Sequence, residues 1–236
     1  AMLKGILKSG EVEASDMIAS AKSDKTREKI EKELGIRKAD TNAQVVDFAD
    51  VVFLAVKPQF LEGVLDEIRD SVKAGQIFIS IAPGKTLQWL GERLGENTKV
   101  IRTMPNTPAM VGEGMTALCV NELVTEEEIA LAVKLCDTFG KTEVIPEHLM
   151  DAVVGVSGSS PAYVFMFLEA MADAAVADGM PRAQAYKFAA QSVLGSAKLM
   201  LETGKHPGEL KDMVCSPAGT TIQAVRVLEE KGFRSA

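Results

Sequence analysis

The chain has 236 residues, 47% of them apolar and 25% charged, with a net charge of −7. That balance fits a soluble globular protein with a sizeable core, and the acidic total without any basic block argues against a general nucleic-acid binder. Three dispersed cysteines (Cys119, Cys136, Cys215) and two histidines (His148, His206) offer no metal-ligand spacing, so no metal site is expected, and a reducing, cytoplasmic setting is.

Taken in chain order, the first half alternates helix and strand. Met2, Leu3, Ile6 and Leu7 fall at helical spacing, and Gly10 stops the pattern. Asp16–Ala21 reads as a short strand, and Asp24–Leu34 as a charged amphipathic helix closed by Gly35. Val51–Val56, Gln76–Ile81 and Thr98–Arg102 are strands, the first two continuous apolar runs of the kind that are covered on both faces. Phe60–Val72 and Thr86–Leu94 supply helices between them. The alternation implies a doubly wound α/β sheet, whose ligands bind at the carboxyl ends of its strands.

Glu126–Phe139 is a further helix and Thr142–Ile145 a last strand. Beyond it only helices are expected: His148–Val156, Pro161–Ala177, Pro181–Glu202, Pro207–Val214 and Thr220–Lys231. A domain boundary follows near Ile145, dividing 1–145 from 146–236. The longest uncharged run, Ala152–Leu168, contains Gly155, Gly158 and Pro161 and is shorter than the roughly 20 residues of a spanning helix, so no membrane segment is expected. No secretory signal is visible. Pro161–Ala177 carries Tyr163, Val164, Phe165, Met166, Phe167, Leu168 and Met171 on nearly all sides, which predicts either self-association or a central helix wrapped by its neighbours.

A dinucleotide-binding fold normally opens strand, glycine-rich turn, helix. Here the pattern opens with the helix, and no GxGxxG occurs. The expectation is a sheet lacking its first strand and glycine-rich loop, with both chain ends trimmed.

Several short motifs carry chemistry. Lys57-Pro58 follows a strand, where a lysine suits a phosphate or carboxylate, or is a plain surface lysine. Ala82-Pro83-Gly84 follows the next strand, with small residues that would let a ring or ribose approach the backbone. Thr103–Pro108, with Asn106 at its centre, is a stiff loop that shapes a pocket or merely connects. After the first strand come Ser20-Ala-Lys22-Ser23, with no acid before Asp24. An NAD-preferring fold usually places Asp or Glu there, whereas two hydroxyls and a lysine suit a 2′-phosphate. Ser216-Pro-Ala-Gly-Thr220-Thr221 precedes a helix whose free N–H groups attract anions, and it is also a good capping sequence.

His206–Asp212 followed by Ser216–Ile222, with Ala55–Pro58, Met104–Pro108 and Gly158–Tyr163 in the same order, resembles the pyrroline-5-carboxylate reductase family along essentially the whole chain. Two positions depart from that pattern, Ser160 where the family usually has Gly and Pro83 where it usually has Ala. The resemblance implies a Rossmann-type parallel-sheet domain, followed by an all-α helical dimerisation domain. It implies hydride transfer from NADPH to the imine carbon of 1-pyrroline-5-carboxylate to give L-proline, with NAD(H) admitted as a second cofactor. It places Ser20, Lys22, Asn42, Ala55, Val56, Lys57, Pro58, Ala82 and Asn106 on the cofactor side. Glu147, Ser216, Gly219, Thr220 and Thr221 fall on the substrate side, Thr221 as the group that polarises the imine nitrogen. Two other readings stay open: a hydroxy-acid dehydrogenase with Lys187 or Lys198 as acid–base group, and a non-catalytic oligomerisation module.

Overall fold

Leu3, Ile6 and Leu7 share one face of the first helix, α1 (Met2–Ser9), and Gly10 ends it in the left-handed conformation, φ 73°. A computed structural model describes residues 1–236, which divide into two units, Ala1–Tyr163 and Val164–Ala236.

In the first unit a 3-10 turn, Ala14–Asp16, shortens the expected first strand to β1 (Ile18–Ala19). Helix α2 (Asp24–Leu34) starts where Ser23 accepts the Thr26 N–H, and β2 (Arg37–Lys38) pairs parallel with β1 as a separate two-stranded sheet. Helix α3 (Asn42–Phe48) opens on a reciprocal capping box between Thr41 and Gln44. There follow β3 (Val51–Leu54), α4 (Pro58–Ile68), β4 (Ile77–Ser80), α5 (Leu87–Leu94), β5 (Lys99–Met104), β6 (Gly114–Val120), α6 (Glu126–Asp137) and β7 (Gly140–Val144).

The larger sheet runs in the order β3-β4-β5-β6-β7. All its pairs are parallel except β5 with β6, which are antiparallel. This departs from the wholly parallel sheet expected. The reason is local: the Pro105–Pro108 loop and the 3-10 turn Thr107–Val111, closed by Gly112 at φ 81°, return the chain beside β5 without a crossover helix. Helix α6 then provides the crossover that makes β7 parallel to β6.

Apolar residues on one face of the sheet (Val52, Leu54, Phe78, Val100) pack with Leu61, Leu65, Leu90 and Leu94 of α4 and α5. On the other face Ile77, Ile79, Ile101 and Leu118 meet Ala132 of α6. The sheet is therefore covered on both sides, which explains the continuous apolar runs.

After β7 the chain is helical. A 3-10 turn Glu147–Leu149 leads into α7 (Met150–Val153), a π-helical turn Val154–Gly158 and α8 (Ser160–Ala177). The glycines expected to break this stretch instead sit in the widened turn, where Ser159 N–H donates to Val154 O at 2.8 Å. The run Glu147–Ala177 is thus continuous over 31 residues and is long and apolar enough to cross a membrane by length and composition, correcting the expectation of a shorter segment.

The second unit holds the rest of α8 with α9 (Arg182–Thr203), α10 (Pro207–Val214) and α11 (Thr220–Glu230). Its buried apolar residues are Ala172, Ala185 and Ala189, whereas Phe165 is 65% exposed and Met166 69%. Within one chain, α8 is not the wrapped central helix that was one of the two expectations.

Candidate active site

The turn after β1 is tightly tied. Arg27 Nη1 donates to Ala21 O at 2.6 Å, and Ser20 Oγ donates to Asn42 Oδ1 at 2.6 Å. Asn42 is the first residue of α3, and Glu67 of α4 accepts from both its backbone N–H (3.1 Å) and its side-chain amide (2.7 Å). Lys22 Nζ lies 5.0 Å from the centre of the Phe60 ring, also on α4. The first strand's turn, the start of α3 and the exposed side of α4 are therefore joined. Ala55 and Val56 lead from β3 to Lys57, which caps α4 with its backbone extended, and Pro58 occupies the first turn. Ile81 N–H reaches Leu54 O at 3.4 Å, so the segments beginning at Ala55 and Ala82 leave the sheet side by side.

Ser20, Lys22, Asn42, Ala55–Pro58 and Ala82 thus gather at the carboxyl ends of parallel strands. Lys22 and Lys57 have no carboxylate within ion-pair distance. Hydroxyl, amide and unpaired ammonium groups are the donor set that a 2′-phosphorylated dinucleotide requires, so the residues present fit that group.

Asn106 and Glu147 sit elsewhere in the first unit. Asn106 commits both ends of its amide to backbone: Oδ1 accepts from Met115 N–H at 2.9 Å and Nδ2 donates to Ser157 O at 3.0 Å, in the π-helical turn. Glu147 Oε1 accepts from Leu87 N–H at 2.8 Å and from Arg102 Nη1 at 2.9 Å.

In the second unit, Ser216 O accepts Gly219 N–H at 3.0 Å and closes the turn before α11. Gly219 is the cap residue and offers no side-chain cap, so the Thr220 and Thr221 N–H groups begin the helix uncapped. A Cβ on Gly219 would collide with Ser216 Oγ and crowd Ser216 O at 3.1 Å, so the Ser216 hydroxyl would have to turn away. Ala218 holds the left-handed conformation at φ 58°. His206 Nδ1 accepts Gly208 N–H at 3.1 Å and caps α10.

Burial pushes the Cys119 thiol up to about 11 and the Cys136 thiol up to about 12, which keeps both protonated near neutrality. No group of three or more His, Cys, Asp and Glu side chains is placed to hold a metal.

Sequence reasoning missed Glu67, Phe60 and Arg102. Only Arg102 left a signal: an arginine inside the buried strand Lys99–Met104 requires a counter-charge.

A family model for pyrroline-5-carboxylate reductase dimerisation matches residues 147–236, and one for coenzyme F420-dependent NADP oxidoreductases matches residues 1–84. A pyrroline-5-carboxylate reductase of Escherichia coli (strain K12) is 55% identical over 236 residues, covering 100% of this chain and 88% of that protein. Among solved structures, a pyrroline-5-carboxylate reductase from Coxiella burnetii superposes with a TM-score of 0.93 at 32% identity, over 99% of this chain and 87% of that one. A pyrroline carboxylate reductase of Plasmodium falciparum, solved with NADP bound, superposes with a TM-score of 0.88 at 27% identity, over 99% and 86%.

Proposed function

Because the chain belongs to the pyrroline-5-carboxylate reductase family, we propose that it reduces the C=N bond of 1-pyrroline-5-carboxylate with NADPH to give L-proline, the last step of proline biosynthesis. The observation that carries this reading is the 55% identity to the Escherichia coli enzyme along the whole chain. The protein is an NAD(P)-dependent oxidoreductase with a Rossmann-like first domain and a helical second domain, the sequence boundary near Ile145 preceding the division between compact units at Tyr163 and Val164.

When bound, the reduced nicotinamide supplies the hydride. Ser20, Asn42, Ala55–Pro58 and Ala82 would hold the cofactor, with the Lys22 ammonium available to a 2′-phosphate. Lys22, which has no carboxylate partner, and the lack of an acid between Ser20 and Asp24 favour NADP(H) over NAD(H), which remains a second cofactor. Asn106 supports that side from its clamp on the Met115 and Ser157 backbone.

On the substrate side the carboxylate is taken by Ser216 and by the N–H groups that open α11 at Thr220 and Thr221. Gly219 contributes through the missing Cβ, which keeps the turn tight. The Thr221 hydroxyl donates to the ring nitrogen and polarises the imine. Its acidity is poor, so it orients the ring, with the proton arriving through a relayed water.

The apolar faces of α8 and α9 are covered by a second copy of the chain, since the dimerisation match spans the entire apolar run Glu147–Ala177. That occupant replaces lipid as the partner of the long helix, and the compartment is the cytoplasm. Nucleic acid is not a partner of a chain with net charge −7 and no basic block.

The test is a spectrophotometric assay of NADPH oxidation by the full-length protein. Oxidation that depends on added pyrroline-5-carboxylate is expected. None with either NADPH or NADH would overturn the reading.

A further inference from the structure

The residues Ala82–Thr86 form the loop between β4 and the start of α5, after Ile81, and both ends of it are anchored. At the front, Ala82 is buried and its N–H reaches Ser80 Oγ at 3.3 Å. At the rear, Leu87 N–H, the first of α5, donates to Glu147 Oε1. Between the anchors Gly84 takes a left-handed φ of 74°, and Lys85 Nζ stands 3.9 Å from the Trp89 ring centre.

The rear anchor has two functions. A carboxylate at the first N–H of a helix sits where the helix dipole favours negative charge. The same oxygen is the counter-charge of Arg102, whose side chain is only 9% exposed on β5. A nearly buried guanidinium without its partner is strongly destabilising, so Arg102 holds Glu147 in place, and Glu147 in turn holds α5. Glu147 itself lies on the 3-10 turn after β7. One oxygen therefore couples β5, α5 and the entry to the long helical run. Both of its bonds go to protein groups.

We propose that Glu147 is a positioning residue, whose carboxylate fixes the Ala82–Thr86 loop by pinning the start of α5 against Arg102. The cofactor role of the loop rests on the function proposed above, but the pinning does not. Trp89 separates the two, because it is the sole tryptophan and packs between Lys85 of the loop and Arg93.

The experiment compares Glu147→Ala and Glu147→Gln with the parent protein. In the cofactor-free protein, the emission maximum and acrylamide quenching of Trp89 should shift in the Ala variant, with Gln between it and the parent. In the steady state, KM for NADPH should rise about tenfold in the Ala variant, the effect of losing a hydrogen bond to a charged group, while kcat changes little. Unchanged Trp89 emission in both variants overturns the proposal. So does a fall in kcat with an unchanged KM for NADPH, the signature of a group that acts on the substrate. If Glu147→Ala does not fold, the nearly isosteric Glu147→Gln decides by the same two readouts. If the parent protein shows no NADPH-dependent reduction, the functional reading falls, and the Trp89 signal alone decides the pinning.

Discussion

The two units use apolar residues in opposite ways. The first has a core of large side chains: Phe78, Leu61, Leu65, Leu90, Ile101 and Leu118 are fully buried between the sheet and its covering helices, although Phe60, Met110 and Val111 remain exposed. The second buries only alanines and presents Phe165, Met166, Phe188 and Leu201 outward, the last 83% exposed. Apolar content therefore does not locate the core of this chain; what distinguishes the units is whether a second layer lies opposite. The first unit is stabilised by its own interior, whereas the second has an apolar surface far larger than a soluble monomer usually tolerates.

That contrast can be broken by experiment. Phe78→Ala should have the largest effect, destabilising the first unit by about 3–5 kcal/mol, as expected of an aromatic removed from a closed core. Chemical denaturation measures it, and a loss below ~1 kcal/mol would mean the sheet is not packed as described. Phe165→Asp should do the reverse, leaving the first unit's unfolding unchanged while weakening self-association by roughly 2–4 kcal/mol. Sedimentation at micromolar concentration should then detect monomer, and an unchanged oligomer would show that another face makes the contact. Thr221→Ala should lower kcat/KM by about 10²-fold with the fold intact, and Thr221→Ser should retain much of the activity. Parent-like kinetics in the Ala variant would reduce that hydroxyl to a helix-start residue.

Smaller effects sharpen the same contrast. Cys119 and Cys136, buried and with raised thiol values, should resist alkylation at pH 8 until the protein unfolds, while the half-buried Cys215 of the second unit labels first. Equal labelling rates for all three would contradict the burial described. Last, the Lys99 ammonium and the Thr125 N–H hold the Glu128 carboxyl below its ordinary value of 4.5. Its folded form is thus the more acidic one, so its stabilisation is complete above the unfolded value and is lost as pH falls through the folded one. Glu128→Gln should flatten the acid limb of the stability profile slightly, and a steeper limb would reverse the assigned sign.

Much of this was legible in the sequence where the pattern was long and one-sided. Ile77–Ser80 is buried on both faces, Val51–Leu54 is buried on one and half-buried on the other, and their uninterrupted apolar runs announce it. Strand β6 was missed although Gly114–Val120 is almost wholly buried, because Thr116 and the small Ala117 dilute its apolar run and a proline-rich loop precedes it. Helix α3 was missed because seven residues give too few turns for a periodicity, though Thr41 and Gln44 carried the capping signal. The strand direction at β6 and the π-helical turn at Val154–Gly158 depend on backbone geometry and on Asn106, distant in sequence. At the candidate site, the small and hydroxyl residues after each strand were visible. The bonds that commit Asn106 and Glu147 to protein groups were not, since their partners lie 9 to 60 positions away.

Ala218 illustrates a balance between stiffness and stability. An L-residue held at φ 58° gives up about 1–2 kcal/mol relative to its preferred conformations. A glycine there would escape that penalty, but it would lose about 0.5–1 kcal/mol more chain freedom on folding. The two terms oppose each other, and the first is the larger by up to ~1.5 kcal/mol. Alanine therefore leaves the protein somewhat less stable than glycine would, while removing most of the alternative shapes open to the Ser216–Gly219 turn. A ligand arriving at the start of α11 would meet N–H groups that are already ordered, and would lose less of its binding energy to arranging them.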